Sequence, residues 1–552
     1  MEKNETTTKK SNSIIKSGII LSLMTLASRI MGLIREMTKA SFLGTSMFAD
    51  AFTTSFMIPN LLRRLFAENA VSAAFIPTFK DYLSKGDSDE NKKSTQEFLS
   101  ATFTLVSFLT AVVVLIGILI TPLLTPLFCD APAAGVENFQ QLFELYTLKS
   151  QEITILTRIM FPYLFLISIA ALFQGILNGC KIFAPSGFTP VLFNLIIIIA
   201  TYVLSPYTAN PARAMSIGVL IGGAVQVFFQ WPFIRKTGWK TTFTTLRKTF
   251  TNPGTRKVMA LIAPTIIGMA AYQLNDIVST ALANRTGLGI ASSLQYSLRL
   301  QELILGIFAV SIGTVILPDL SGLANEKKWN EFNQMLLQAI KIMTLISVPV
   351  TFYSLVNGKE LITLLYKSKS FDEASVLLTL GEFRYHMIGL LFIALNRVIA
   401  PAFYAQKKPK LATYAGITCF ASNILFAFIL VAPMQGNGIA LALTIASGIN
   451  TIFLFIFMKK MDGMNGSEIF KLVKGTLAYI IKLVILSVIA AVPCYFLRPV
   501  LLDLFQDYSK IVSQGLPLLI SFVIFAFIGV AELIITRDEV VAIILRKFLK
   551  RK

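Results

Sequence analysis

The chain has 552 residues, 55% of them hydrophobic and only 14% charged. That composition excludes an ordinary soluble domain and a disordered chain, and makes the lipid bilayer the default environment. A formal net charge of +20 invites a nucleic-acid reading, so the placement of the basic residues decides what it means.

Residues 1–16 are polar, and the apolar stretch from Ser17 runs into Ser28-Arg29 without a small-residue cleavage site. It therefore reads as a retained helix, not a signal peptide. Further apolar runs follow, each about 20 residues long, the length an α-helix needs to cross roughly 30 Å of hydrocarbon. Fourteen spans are predicted, at 17–36, 48–70, 98–121, 152–178, 186–205, 212–234, 258–284, 290–317, 334–357, 377–404, 411–432, 436–458, 475–497 and 512–536. The runs lack the alternating period of a barrel strand, so helices satisfy the backbone.

With the N-terminus placed in the cytoplasm, the even-numbered connections carry the basic residues. They hold Lys80, Lys85, Lys92 and Lys93, then Lys181, then Arg235, Lys236, Lys240, Arg247, Lys248, Arg256 and Lys257. The series continues with Lys327 and Lys328, Lys407, Lys408 and Lys410, Lys459, Lys460, Lys471 and Lys474, and ends in the tail Arg546, Lys547, Lys550, Arg551 and Lys552. Opposite loops are expected to carry scattered single charges, Lys39, Lys149, Arg213 and Arg285, and a small group at Lys359, Lys367 and Lys369. The positive-inside rule then puts both termini in the cytoplasm and explains most of the charge without a nucleic-acid partner. Residues 537–552 alternate apolar and basic side chains, as a helix lying on the membrane surface does.

Ala74-Phe75-Ile76-Pro77 before a basic loop is echoed by Val315-Ile316-Leu317-Pro318, and Phe161-x-Tyr163 by Phe383-x-Tyr385. The expected fold is therefore an all-α polytopic membrane protein. Two six-helix lobes, 1–250 and 251–460, form a parallel repeat with a substrate site between them, and 461–552 adds a helix pair and a basic tail.

Charged residues inside the spans are costly, about 2.5–3.5 kcal/mol for each arginine at a helix centre, so several together imply a wet or paired interior. They are Arg29 and Arg35 in the first span, Asp50, Arg63, Arg64 and Glu68 in or beside the second, and Arg299 and Glu302 in the eighth. Arg29 and Arg35 lie within roughly 120° of each other around their helix. Arg299 and Glu302 share a face and are spaced to pair. Guanidinium suits a pyrophosphate ligand because its planar fork makes two charge-assisted hydrogen bonds and keeps its charge. Arg35, Asp50 and Arg64 serve equally well as structural ion pairs or as snorkelling residues at helix ends. Gly32 and Pro59 mark places where a helix can bend beside the charges, and Gly32 suits close packing as well.

The four cysteines are scattered without ligand spacing, the single histidine, His386, reads as a packing or polar-interface residue, and no phosphate-binding G-x-x-x-x-G-K-[ST] loop occurs. No catalytic residue, metal or cofactor is expected. The membrane potential and a coupled monovalent cation remain open as energy sources.

Ser28-Arg29-x-x-Gly32-x-x-Arg35-Glu36, Ala49-Asp50-Ala51-Phe52 and Pro59-Asn60-Leu61-Leu62-Arg63-Arg64-Leu65-Phe66-Ala67-Glu68 together resemble the N-terminal signature of the MurJ (MviN) lipid II flippases. The resemblance continues at Tyr296-x-x-Arg299-x-x-Glu302, Gly313-Thr314-x-x-Leu317-Pro318 and Ala400-Pro401-x-Phe403-Tyr404-Ala405. Glu36 stands where Asp is common, Asn69 where Gly often follows, and the stretch after Tyr404 departs from the pattern. The resemblance implies the multidrug/oligosaccharidyl-lipid/polysaccharide exporter fold, two lobes around a cationic cavity and a C-terminal pair forming a lipid-tail groove. It also implies that Arg29, Arg35, Arg63 and Arg299 meet the substrate's pyrophosphate or gate it. Ser28, Gly32, Glu36, Asp50, Pro59, Asn60, Arg64, Glu68 and Glu302 are supporting or gating candidates.

The expected function is alternating-access export of the lipid-linked peptidoglycan precursor across the bacterial cytoplasmic membrane, by a monomer associated with the cell-wall synthesis machinery. The competing readings are a cation-coupled drug or polysaccharide-lipid exporter of the same superfamily, a membrane enzyme acting on polyprenyl-phosphate sugars, and an anion channel.

Overall fold

Backbone groups in hydrocarbon have only each other to bond, and the computed structural model answers with helices alone among the residues it describes, 2–65, 74–86, 88–129 and 139–542. In chain order these are α1 (Glu2–Leu43), α2 (Met47–Leu62), α3 (Ile76–Leu83), α4 (Asp89–Leu124), α5 (Phe139–Met160), α6 (Tyr163–Gly179), α7 (Ala184–Leu204), α8 (Pro211–Lys236) and α9 (Leu246–Thr251). They continue as α10 (Pro253–Thr286), α11 (Ile290–Asn325), α12 (Trp329–Tyr366), α13 (Glu373–Ala405), α14 (Pro409–Met434), α15 (Gly436–Phe457), α16 (Gly466–Leu504) and α17 (Lys510–Ile535). The predicted spans fall on these helices, the fourth on α5 and α6 together and the second on α2 with its residues 66–70 outside the described ones, and among the described residues ten stretches are long and apolar enough to cross a membrane.

Helix ends follow local chemistry. Ser88, Asn210, Thr245, Asn252, Asp372 and Asn465 cap helix N-termini with side-chain oxygens. The C-terminal ends of α6, α11, α13 and α17 close on a basic residue in the left-handed region: Lys181, Lys327, Lys407 and Arg537. In each case the next amide reaches back five residues, as Ile182 does to the Leu177 carbonyl and Lys408 to that of Phe403. A cation at this position also meets the negative end of the helix dipole. All four ends belong to connections that the charge pattern assigns to the cytoplasm, so one residue serves topology and helix termination at once.

The chain divides into two compact units, Met1–Gly289 and Ile290–Lys552. In the first, α8 packs against α7, α6 and α5, while α1 lies on α7 and α2 on α5. Glycines make the α8 contacts close: a Cβ at Gly222 would stand 2.9 Å from the Phe193 ring, and one at Gly223 2.6 Å from Tyr163. A second aromatic core of Phe75, Phe79, Phe98, Phe103 and Phe173 joins α3, α4 and α6. Helix α10 packs with α2, α3, α4 and α9, and so belongs to this unit.

In the second unit α13 is the central helix, in contact with α11, α12 and α15. Helices α16 and α17 attach to α12 through a polar seam. The Tyr353 hydroxyl donates to the Leu518 carbonyl at 2.7 Å, Ser521 donates to Asn357 at 3.2 Å, and Arg498 pairs with buried Glu360 at 2.7 Å. Their other faces are exposed and apolar, with Phe527 and Ile535 among the most accessible residues, as a lipid-facing surface requires.

One expectation is corrected: Arg213, Arg285 and Lys359 fall within α8, α10 and α12 instead of loops, as do Lys39 in α1 and Lys149 in α5, and these last two are buried. Sequence spacing placed them at the ends of apolar runs, but each helix extends past its run and turns the charge inward to a carboxylate. The Lys149 ammonium meets Asp50 at 3.0 Å with both side chains fully buried. The second part of the tail, residues 543–552, lies outside the described residues.

The Asp50 carboxylate also accepts the Gly289 amide at 2.7 Å, at a turn where Gly289 has φ +82°. A Cβ there would collide with the Thr45 carbonyl. Lys149→Met strands a buried carboxylate and is expected to destabilise the protein by about 3–5 kcal/mol, read as a lower thermal midpoint in detergent. The double replacement Asp50→Asn, Lys149→Met should regain most of that loss; an unchanged midpoint in the single variant would contradict the pairing.

Candidate functional site

Helix α1 turns Arg35 toward α7 and Lys39 toward α2. Arg35 and Glu36 are held together at 2.7 Å, and the other Arg35 terminal nitrogen donates to Asn194 Oδ1 at 2.9 Å. Asn194, buried on α7, turns its amide nitrogen to the Pro190 carbonyl at 3.0 Å and to that of Ser28 at 3.4 Å. One side chain thus fixes both the Arg35 guanidinium and the α1 backbone just before Arg29. Arg29 itself is half-buried and, among the described residues, has no hydrogen-bond or ion-pair partner. A Cβ at Gly32 would meet only Asn194 at 3.8 Å, an ordinary contact, so packing against α7 does not demand glycine there.

On α2, Pro59 lacks the amide that would close its turn, and beyond it the helix widens into a π-type turn at residues 63–65. That turn presents Arg63 and Arg64, both half-buried. Arg63 Nε donates to Asn60 Oδ1 at 3.0 Å, and Arg64 lies 3.6 Å from Asp276 on α10. Asp276 was not singled out from sequence, although its charge inside the 258–284 span is the same signal that marked the arginines. Glu68 lies outside the described residues.

In the second unit Arg299 and Glu302 pair at 2.7 Å, the i, i+3 geometry their spacing allows. Gln295, with its amide turned, accepts from the same guanidinium at 3.1 and 3.2 Å. Two residues before Arg299, buried Ser297 meets His386 Nδ1 at 2.6 Å, and Gln301 donates to the His386 carbonyl. His386 therefore ties α13 to α11. Buried Glu382 accepts from Ser293 at 2.8 Å on the same helix pair. The Ser297–His386 and Ser293–Glu382 bonds link distant segments, which is why neither stood out in the sequence.

The first unit thus gathers Ser28, Arg29, Gly32, Arg35 and Glu36 with Asn194, and separately Pro59, Asn60, Arg63 and Arg64 with Asp276. Asp50 sits in the buried pair with Lys149. Arg299 and Glu302 form their own pair in the second unit. Fixed guanidinium groups that keep part of their surface accessible suit a phosphorylated anion, which takes several forked N–H donors at once. Among the described residues no cluster of histidine, cysteine, aspartate and glutamate has the geometry of a metal site.

A family model described as "Lipid II flippase MurJ" matches residues 39–507. A protein of Treponema pallidum named probable lipid II flippase MurJ is 45% identical over 533 residues, covering 96% of this chain and 97% of that one. One from Vibrio cholerae with the same name is 32% identical, covering 86% and 87%. Among solved structures, "Lipid II flippase MurJ, inward closed conformation" superposes with a TM-score of 0.74 at 25% identity, over 94% of this chain and 99% of that one. An inward-facing multidrug transporter of the MATE family shares the fold at a TM-score of 0.63 and 15% identity, over 83% and 99%.

Asn194→Leu keeps the volume but strands a guanidinium donor, and is expected to cost about 1–3 kcal/mol in detergent unfolding. Asn194→Asp, which keeps the acceptor, should lose less; equal losses would show that the amide does not hold Arg35.

Proposed function

The chain belongs to the MurJ family of lipid II flippases, and from that premise we propose that its guanidinium groups on α1 and α2, with Arg299 on α11, receive the pyrophosphate of lipid II during translocation. The chain is a transporter and not an enzyme, a multi-pass protein of the bacterial inner membrane that carries lipid II. The observation that carries the site reading is the α1 cluster, in which Asn194 fixes Arg35 while Arg29 stands half-buried without a described partner. A guanidinium at bilayer depth is costly unless an anion compensates it, and a transported anion does so only while it is bound.

On this reading Arg29, Arg35 and Arg63 take the phosphates in the first unit, and Arg299 acts with Glu302 in the second. Ser28, Gly32, Pro59 and Asn60 shape the helix backbone around them, and Arg64, Glu36, Asp50 and Glu68 set the charge balance. Residues 1–250 and 251–460 are the two six-helix repeats and 461–552 the added pair, fourteen crossings in all, with both termini in the cytoplasm. The polyprenyl tail stays in lipid while the head group crosses by alternating access. Outward movement of an anion is downhill in an inside-negative cell by about 2.3 kcal/mol per charge per 100 mV, so the potential supplies a driving force without a nucleotide. The protein works as a monomer alongside the cell-wall synthesis machinery.

The test is depletion of the protein followed by measurement of lipid II exposed on the outer leaflet. Arg63→Ala and Arg299→Ala should each insert normally and fail to restore exposure, and the Lys replacements should restore it poorly because a point charge lacks the fork. Full rescue by either alanine variant removes that residue from the site. In proteoliposomes, flipping should slow when the potential is collapsed; an unchanged rate with no ion gradient present rejects the voltage drive.

A further inference from the structure

Glu36 on α1 is shared by two cations. Its Oε1 takes the Arg35 guanidinium at 2.7 Å, and its Oε2 faces the Lys39 ammonium at 3.3 Å, one helical turn on. Lys39 is 3% exposed, and its ammonium also reaches the Thr53 hydroxyl of α2 at 3.4 Å. Such burial removes most of the water that would otherwise stabilise a lysine, so its place next to Glu36 must be held by charge.

The charge count across this part of the first unit matters. Arg35 and Lys39 share the one carboxylate of Glu36, so two positive charges meet one negative charge in a largely buried group. Without Lys39 the one carboxylate faces a single guanidinium, and its second oxygen turns toward Arg35, the forked geometry that arginine–carboxylate pairs favour. Arg35 would be neutralised and most of its donors occupied, leaving little for a phosphate.

We propose that Lys39 is a positioning residue that divides the charge of Glu36, so that Arg35 keeps a net positive charge and accessible donors for the phosphate groups of the lipid-linked substrate. The inference rests on the site reading above and deepens it by naming a residue that acts through Arg35 without touching the substrate. The bland alternative is that Lys39 only ties α1 to α2 through Thr53. The two differ in one respect: a tie is lost whenever the ammonium is lost, whereas a divided charge is restored by removing the competing carboxylate.

The experiment measures binding of purified lipid II to the full-length protein in nanodiscs, with thermal midpoints recorded for each variant. Lys39→Met should weaken binding by about tenfold, the scale of one lost charge interaction. Lys39→Arg should bind as the wild type does. The double variant Glu36→Gln, Lys39→Met should recover to within about threefold of the wild type, because a neutral amide cannot cancel Arg35. This double variant removes one charge of each sign and so leaves the net charge of the wild type, which keeps the test open if Lys39→Met alone folds poorly. The proposal is overturned if Lys39→Met binds normally, or if the folded double variant stays as weak as Lys39→Met. Arg35→Ala separates the layers. Normal binding by that variant removes both the site reading and this one, whereas weak binding by Arg35→Ala beside normal binding by Lys39→Met removes this one alone.

Discussion

A charge buried in a lipid-embedded bundle has to find an opposite charge inside the protein, and much of this structure is arranged around that constraint. Asp50 and Lys149, both fully buried, answer it by pairing, and the same carboxylate then holds the Gly289 amide at the last turn of the first unit. Arg498 and Glu360 answer it at the seam that fastens α16 to α12. Desolvation makes such pairs weak contributors to net stability, but breaking one strands a charge, so they fix position more firmly than an apolar contact of the same size.

The charges proposed to meet the substrate are a controlled departure from that rule. Arg35 is paired yet keeps an amide on its other side, Arg63 is steadied by a neighbour on its own helix, and Arg29 has no described partner. Partial compensation is what a carrier of anions needs. Complete pairing would leave nothing for the substrate, and no pairing would leave the empty protein with an uncompensated charge at bilayer depth. The π-type turn after Pro59 belongs to the same compromise, since it widens the helix where Arg63 and Arg64 emerge.

The basic residues illustrate how one side chain can satisfy two requirements. Lys181, Lys327, Lys407 and Arg537 count toward the charge bias that orients the chain, and each also terminates a helix in the left-handed conformation. Lys181 and Lys407 follow α6 and α13, the helices that open on Phe161-x-Tyr163 and contain Phe383-x-Tyr385, so the repeated motif and the repeated helix ending fall together. Non-glycine residues seldom adopt positive φ, which makes this coincidence more informative than apolar similarity between spans.

The sequence by itself determined the membrane class, the helical spans and the arginine-rich signature of the family, because hydropathy over about 20 residues and spacing within one helix are local quantities. The Arg299–Glu302 pair was legible for the same reason. Partners brought together from distant segments were not: Asn194 reaches Arg35 across 159 positions, Lys149 reaches Asp50 across 99, and Asp276 meets Arg64 from another helix altogether. Lys39 and Lys149 looked like loop charges for lack of that information. Only the tertiary structure decided which charges are tied off and which stay available, since pairing energy depends on distance and burial in space, and neither is written in the order of residues along the chain.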